Sequence, residues 1–565
     1  MPLFQNRLSA GHSSRRTVLA VLVAASLGAT SPVALAAPPA PDAGQLLQNI
    51  KPIQPLAPAS PASALPEAPA AAAPANAGGA TITVTAFHVD GASAFSEAEL
   101  QALLADAVGK ALTIGEIKDV VERITTYYRG HGYLLARAWL PPQQINGGSI
   151  EVRVLEGQLG HLTIHNQSLL SDAAVRRQLQ QLPEGKPVRG PALDRDLLLL
   201  NELPGAVVRS TLKPGDAVGS TDLDLNVAST PRVGGSLGYD NDGNRYTGSN
   251  RLTGGVHVNS PTGQGDSLNL QTQLARGTDY LHLGYQVPVG GYGTQLGGGA
   301  SVLDYKLGGD FKPLQAHGSA DDYNLLAAQP LVRNRAQSLD LDATVDHKRL
   351  DDAVDSTDSN ALKSVNSLAL TLSGQQRDGY GGGGENSGSL SLTDGHLNLG
   401  VATADDDLLG HHTAGHYDKL NLLLSRQQYV ADRLSFSGLL SGQWADKNLD
   451  STEKMPLGGA SAVRAYAPGD SSSDEALLAR LELRYAFTNV WQAGPFVDAA
   501  RGLLNKHPLA SDPPNGRNLA GEGLSVYWSR PALSLQAFAA WRDGAAPATP
   551  THDRARFGVQ LTAYF

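Results

Sequence analysis

The chain has 565 residues and no cysteine, so it has room for three or more domains while disulfides and thiolate metal sites are excluded. Its formal charge is −10, or about −13 without three leader arginines, which excludes nucleic acid as a partner because phosphate binding needs a positive surface. With 62 glycines, 17% charged residues and no thiol to mispair, the composition suits the periplasm or outer membrane.

Residues 1–36 read as a secretory signal peptide. Arg7, Arg15 and Arg16 precede an apolar stretch at 17–27, and Ala34-Leu-Ala36 supplies a small-residue cleavage site. That stretch is too short to span a bilayer, and no other segment approaches 18 uninterrupted apolar residues. Residues 37–80 begin with a small amphipathic helix candidate at 42–50 and continue as an Ala/Pro tract that cannot pack a core and reads as a linker.

A compact mixed domain is expected at 81–158. An alternating strand at 82–87 precedes two capping boxes, Ser96 with Glu99 and Thr113 with Glu116. The first opens a helix carrying Leu100, Leu103, Leu104 and Val108, the second one carrying Ile117, Val120, Val121 and Ile124. Strands at 133–140 and 149–155 complete a β-α-α-β-β order. Residues 159–230 look like a shorter copy: a strand at 161–165, helices at 171–182 and 192–202, and strands at 207–213 and 221–227. Each core is small, so both units are expected to dock on something larger.

From 231 to 565 the sequence becomes a series of two-faced runs. Leu339, Leu341, Ala343 and Val345 share one face, and Asp340, Asp342, Thr344 and Asp346 the other. Runs at 268–274, 281–287, 368–372 and 434–444 behave similarly, and the chain ends with Phe557, Val559, Leu561, Ala563 and Phe565 on a single face. Such strands build either a sandwich with its polar side in water or a barrel with its apolar side in lipid. At about 20 residues per strand and turn, the region holds roughly 16 strands, and closure removes the edge that hydrocarbon would not tolerate. The spacers 379–387 and 403–417 are expected as long surface loops.

No enzyme or cofactor signal competes with this reading. Gly381 to Gly384 lack the following lysine and helix of a phosphate loop, and no nucleophile elbow is present. His411, His412 and His416 near Asp405, Asp406 and Asp407 have no spacing that would hold a metal and read as a surface loop.

Several motifs resemble the two-partner secretion transporters, the haemolysin secretion/activation (TpsB) family. They include Tyr127-Tyr-Arg-Gly-His-Gly-Tyr133, Leu140-Pro-Pro-Gln-Gln-Ile145 and Val154-Leu-Glu-Gly157 in the first domain. In the C-terminal region, 239–248, 259–268, 285–293 and Gln329-Pro-Leu-Val-Arg333 fit as well. The resemblance implies a mainly β fold: a transmembrane antiparallel β-barrel of about 16 strands at 231–565, with two periplasmic α+β POTRA domains at 81–158 and 159–230. It implies a non-enzymatic outer-membrane translocase that recognises one large exoprotein by its N-terminal secretion domain and passes it through the barrel unfolded, without nucleotide hydrolysis. Outer-membrane lipid and the barrel assembly machinery would be its other partners, and 42–50 would be a plug helix. A POTRA strand edge could hold the cargo by β-augmentation.

Two further matches imply a site. Val463-Arg464-Ala465-Tyr466 resembles the family's Val-Arg-Gly-Phe/Tyr signature at the tip of a loop folded into the barrel, and Phe496 with Asp498 resembles the Phe-x-Asp-x-Gly signature on a neighbouring strand. Carried over, Arg464 pairs with Asp498. Ala465 and Ala500 stand where the signatures have glycine, which would add strain if either position needs a positive φ. The alternatives are an outer-membrane barrel assembly factor, against which two POTRA-like units rather than a longer array weigh, and a diffusion porin or barrel enzyme.

Overall fold

A computed structural model describes residues 40–50, 81–547 except 134, 183 and 218, and 554–565; the expected leader at 1–36 and the Ala/Pro tract at 51–80 lie outside them. The amphipathic segment at 42–50 forms a short helix, α1 (Ala43–Gln48), with Asp42 as its N-cap.

In the first N-terminal unit, strand Ser149–Leu155 is central, parallel to Ala86–Asp90 and antiparallel to Arg137–Trp139. Both capping boxes form, opening α2 (Glu97–Ala102) and α3 (Ile114–Gly130). α3 buries Ile117, Val121, Ile124 and Tyr128 in a core with Ile150, Val152 and Val154. Two strands differ from expectation. The 82–87 strand is split, because Ile82–Thr83 pairs with Ala111–Leu112 while Ala86–Asp90 joins the main sheet. The 133–140 strand shrinks to Arg137–Trp139, because Tyr133 N–H closes the end of α3 on Tyr128 C=O and Ala136 N–H turns back to Tyr133 C=O.

The second unit repeats the layout, with Ser220–Ser229 between Gln158–Gln167 and Ala206–Pro214. Its helices α4 (Asp172–Gln178) and α5 (Gly190–Asn201) bury Val175, Leu193, Leu197 and Leu200 against Leu223 and Leu225. The two units abut through Gly190 N–H to Gly132 C=O at 2.7 Å and through Leu135, which packs on the second core.

Beyond them, among the described residues, sixteen strands close into a barrel with antiparallel neighbours throughout. They are β1 (Val233–Asp240), β2 (Arg251–Asn259), β3 (Ser267–Ala275), β4 (Thr278–Val289), β5 (Thr294–Lys306), β6 (Ala316–Arg333), β7 (Gln337–Val354) and β8 (Ser359–Asp378), followed by β9 (Gly384–Leu399), β10 (Gly415–Ala431), β11 (Leu434–Ala445), β12 (Glu475–Ala486), β13 (Trp491–Leu503), β14 (Gly516–Arg530), β15 (Leu533–Arg542) and β16 (Ala555–Tyr564). Pairing of β16 with β1 closes the ring over five residue pairs, Gln560–Asp240 to Tyr564–Ser236. The alternation read in 339–346 is the barrel's: Leu341 and Val345 are exposed on the outside, and the aspartates point to the bore.

The second N-terminal unit caps the near rim of the barrel. Ser171 N–H bonds Gly263 C=O at 2.8 Å in the β2–β3 turn, Gln178 reaches Gly291 C=O at 3.3 Å in the β4–β5 turn, and Arg335 of the β6–β7 turn meets Asp194 at 3.0 Å. Spacer 379–387 is a tight near-rim turn rather than a long loop, because Gly381, Gly382 and Gly383 all take positive φ and β9 starts at Gly384. Spacer 403–417 holds helix α6 (Val401–Leu409), a run with neither glycine nor proline, and enters β10 at Gly415.

Glu156 fixes the first unit. Its buried carboxylate accepts from Ser93 N–H at 2.6 Å, Ala94 N–H at 2.7 Å and the Tyr128 hydroxyl at 2.8 Å. Burial pushes its pKa up, but the hydrogen bonds outweigh burial and hold it below the usual glutamate value. Glu156→Ala is expected to lower this unit's stability by about 2–3 kcal/mol, read as faster hydrogen exchange over residues 93–100. Because the folded pKa is depressed, the carboxylate's contribution is complete above the usual glutamate value and lost as pH falls through the folded one. Wild-type exchange in this segment should therefore approach the variant's on acidification.

Candidate functional site

Residues 446–474, between β11 and β12, enter the bore from the far rim. At the base of this loop, Asp474 takes Leu449 N–H at 3.2 Å and Lys454 Nζ at 3.1 Å, and Met455–Pro456 pairs with Ser472–Ser473. Leu457, Val463, Ala465 and Tyr466 pack against Leu478, Phe496, Leu519 and Phe538 on the inner wall of β12–β15. This apolar seat inside a polar bore brings the loop tip to β13.

There Arg464 and Asp498 meet. Arg464 is 1% exposed and Asp498 0%, so neither charge is screened by water. Asp498 accepts the Arg464 backbone N–H at 3.0 Å, Nε at 2.8 Å and Nη2 at 2.8 Å. The remaining edge of the guanidinium, Nη1, donates to Glu482 of β12 at 2.8 Å, and its face lies 3.3 Å from the Phe496 ring centroid. Glu482 also accepts from Arg484 Nε at 2.8 Å, the Ser525 hydroxyl at 2.6 Å and the Tyr527 hydroxyl at 2.8 Å. Arg480 Nε lies 3.5 Å from Asp498. The Arg464 carbonyl accepts from Arg556 of β16 at 2.9 Å, and Arg556 also pairs with Asp242 in the β1–β2 loop. The tip thus connects β12 and β13 to both sides of the β16–β1 seam.

The other signature residues have distinct places. Val463 is buried in the loop's own turn, and the Tyr466 hydroxyl donates to Ala545 C=O at 2.8 Å. Ala465 lies against Gly521 of β14, where an added Cβ would come within 2.5 Å of Ala465 Cβ, so a glycine on the wall makes room for the alanine on the loop. Neither Ala465 nor Ala500 has a positive φ, so replacing glycine strains neither. Glu482, Arg480, Arg484 and Arg556 were not singled out from the sequence. A signal existed for three of them: Arg480, Glu482 and Arg484 alternate with Leu481 and Leu483, a charged bore face behind an apolar one.

A second polar cluster holds α1 within the bore. Ala43 and Leu46 pack on Leu303, Tyr305, Ala320 and Leu350, on the inner faces of β5, β6 and β7. Lys363 of β8 lies 3.2 Å from Asp42 and 3.1 Å from Asp450 of the loop. The Ser451 hydroxyl donates to Asp42 at 2.5 Å, and Ala43 N–H donates to Asp352 at 2.8 Å. Gly44 sits so close to Thr452 that a Cβ would come within 2.4 Å of its methyl group. The histidines are apart from both clusters: His411 pairs with Asp512 at 2.9 Å and His416 lies against His396. Among the described residues no three His, Asp or Glu side chains converge as a metal would need.

Arg464→Ala leaves Asp498 with only the Arg480 cation at 3.5 Å and Glu482 with only that of Arg484, and is expected to cost the docked loop about 3–5 kcal/mol. Limited trypsin digestion should then cut at Lys447 or Lys454 much faster while the barrel keeps its heat-modifiable migration. Arg464→Lys, a point charge in place of a fork, should fall between. Unchanged digestion of both variants would show that the cluster does not hold the loop.

Comparison with known proteins adds to this geometry. The family model for haemolysin secretion/activation protein ShlB/FhaC/HecB matches residues 219–526, and that for the ShlB-type POTRA domain matches 82–157. The heme/hemopexin transporter protein HuxB of Haemophilus influenzae (strain 86-028NP) is 30% identical over 76% of this chain and 78% of its own. The outer membrane transporter CdiB of Escherichia coli is 26% identical over 80% of this chain and 78% of its own. A solved structure of CdiB from Escherichia coli superposes with a TM-score of 0.71 at 23% identity, covering 88% of this chain and 92% of that one, a likeness of fold.

Proposed function

The chain belongs to the haemolysin secretion/activation family, and from that premise we propose that it is the outer-membrane translocase for one specific exoprotein. The protein resides in the outer membrane with its N-terminal units in the periplasm, and the family is one of transporters. The observation that carries the reading is a closed barrel with a polar bore, filled by a helix and a loop that are held by ion pairs rather than by the wall's own backbone. Such fillings can leave without breaking the barrel, since every wall strand keeps its ladder. The N-terminal units at 81–158 and 159–230 receive the exoprotein's secretion domain, the barrel at 231–565 passes the chain, and folding outside drives it.

In this reading Arg464, paired with Asp498 and Glu482, sets the docked position of the loop tip Val463 to Tyr466 over Phe496, and Lys363 latches α1. Deleting residues 81–229 should abolish release of the exoprotein encoded beside this gene while the barrel still inserts; a general loss of outer-membrane proteins would point to an assembly factor instead. Arg464→Ala should reduce that release at least tenfold at unchanged membrane level, and normal release would remove the site's role. Lys363→Met leaves Asp42 with fewer partners and should raise the single-channel open fraction in planar bilayers toward that of a variant lacking residues 40–50. Equal, closed behaviour of wild type and both variants would show that α1 does not block the bore.

A further inference from the structure

We infer that the cleft between α5 and the near-rim wall of β7–β9 receives the unfolded exoprotein as an extended chain, and that uncharged side chains on β8–β10 carry it up the bore. This rests on the transport reading above and names the route within it. The cleft is a cavity of about 670 Å³, lined by Asp194, Leu198 and Glu202 of α5, by Arg333 and Arg335 at the end of β6, and by Ser373 and Ser389 of β8 and β9. Its lining brings α5 of the periplasmic unit together with the bore-facing Ser373 and Ser389.

Two stretches of the inner surface are occupied. α1 covers β5–β7 in their far half, and the loop 446–474 covers β12–β15. The wall from β8 to β10 meets the loop only toward the far rim, where Leu449 packs on Val365, Leu397 and Tyr417 and where Lys363 and Lys419 pair with Asp450 and Glu453.

The cleft's charges are already matched. Arg333 lies 3.1 Å from Glu202 and 2.8 Å from Asp340, and Arg335 lies 3.0 Å from Asp194. A passing chain therefore meets no unmatched arginine that would trap an acidic stretch. It meets hydroxyls, which donate or accept by rotating and so suit a peptide backbone of any sequence. On the cleft wall Ser373 and Ser389 face one another across β8 and β9, and above them Thr371 donates to Ser391 at 2.8 Å. On the next strand Ser425 is 2.6 Å from Ser387. Because Thr371 bonds Ser391 and Ser387 bonds Ser425, exchanging a neighbour for a peptide group changes little net energy there, so the chain can bind and move on. The track ends at Glu453, held by Lys419 and by Lys348 at 2.9 Å, which is the base of the inserted loop. Displacing that loop opens the route outward.

Photo-crosslinking tests this with the full-length protein in cells and, as probe, the neighbouring exoprotein fused to a fast-folding C-terminal domain that arrests it in transit. A benzophenone side chain replaces Ser389 or, on the opposite wall, Gln271 of β3, which faces the bore opposite the exposed Leu270 and Leu274. Crosslinks at 389 exceeding those at 271 at least fivefold are expected. Equal yields, or crosslinks at 271 alone, would overturn the track while leaving transport through the barrel intact. No crosslink at either site while the exoprotein is still released would overturn the transport reading itself. Independently, Ser389→Trp should cut release about tenfold with the barrel still heat-modifiable, and Gln271→Trp should not; normal release by a folded Ser389→Trp variant would also overturn the track.

Discussion

A sheet that faces hydrocarbon cannot leave an edge, because each unpaired N–H or C=O there costs several kcal/mol. Most of this structure follows from that constraint. The β16–β1 pairing makes the ring complete, and the two-residue side-chain period then forces opposite chemistry on its two surfaces. A lipid-facing exterior of Leu341, Val345 and Leu370 obliges the alternate residues to line a bore wide enough to admit water. The wall is uneven: β6 to β10 run for 16 to 20 residues, whereas β1 to β3, β15 and β16 have 8 to 10.

A bore of this size would leak unless filled, and its fillings have to satisfy their own polar groups. The loop 446–474 does so with an apolar seat and one charge cluster. Arg464 has its face on Phe496 and its edges on Asp498 and Glu482, the arrangement a planar fork can meet and a lysine cannot. Breaking such a buried cluster from one side is costly, yet it can dissolve as a unit when water and other partners replace it. The Lys363 cluster has the same character, with Asp42, Asp450 and Asp352 around one ammonium. Ionic seating gives fillings that are firm at rest and removable.

Much of this was legible in the sequence. The alternation in 339–346 identified inner and outer faces of β7, and Ser96 with Glu99 marked the start of α2, because strand period and capping are local. What failed was also local in cause. Residues 133–136 were read as strand, but Gly132 turns the chain at a φ of 89° and the following N–H groups close helix α3. The glycines at 381–383 read as part of a long surface loop, whereas their positive φ values build a tight turn. Within the charge cluster, Arg464 and Asp498 came from motifs. Glu482, 18 residues from Arg464, and Arg556, 92 residues away, become neighbours only when the ring closes. No local pattern specifies which charge on a bore face meets a loop tip.

Residues 231–565 form a cylinder with lipid outside and an aqueous bore within, and the absence of cysteine makes a direct measurement clean. Single cysteines placed in turn at 339–346, in the native membrane, would be reacted with a water-soluble maleimide. The expected result is a period of two, with Asp340, Asp342, Thr344 and Asp346 positions labelled and Leu339, Leu341, Ala343 and Val345 positions protected until the membrane is dissolved and the protein denatured. Uniform labelling of both sets, or protection of the even positions, would contradict it.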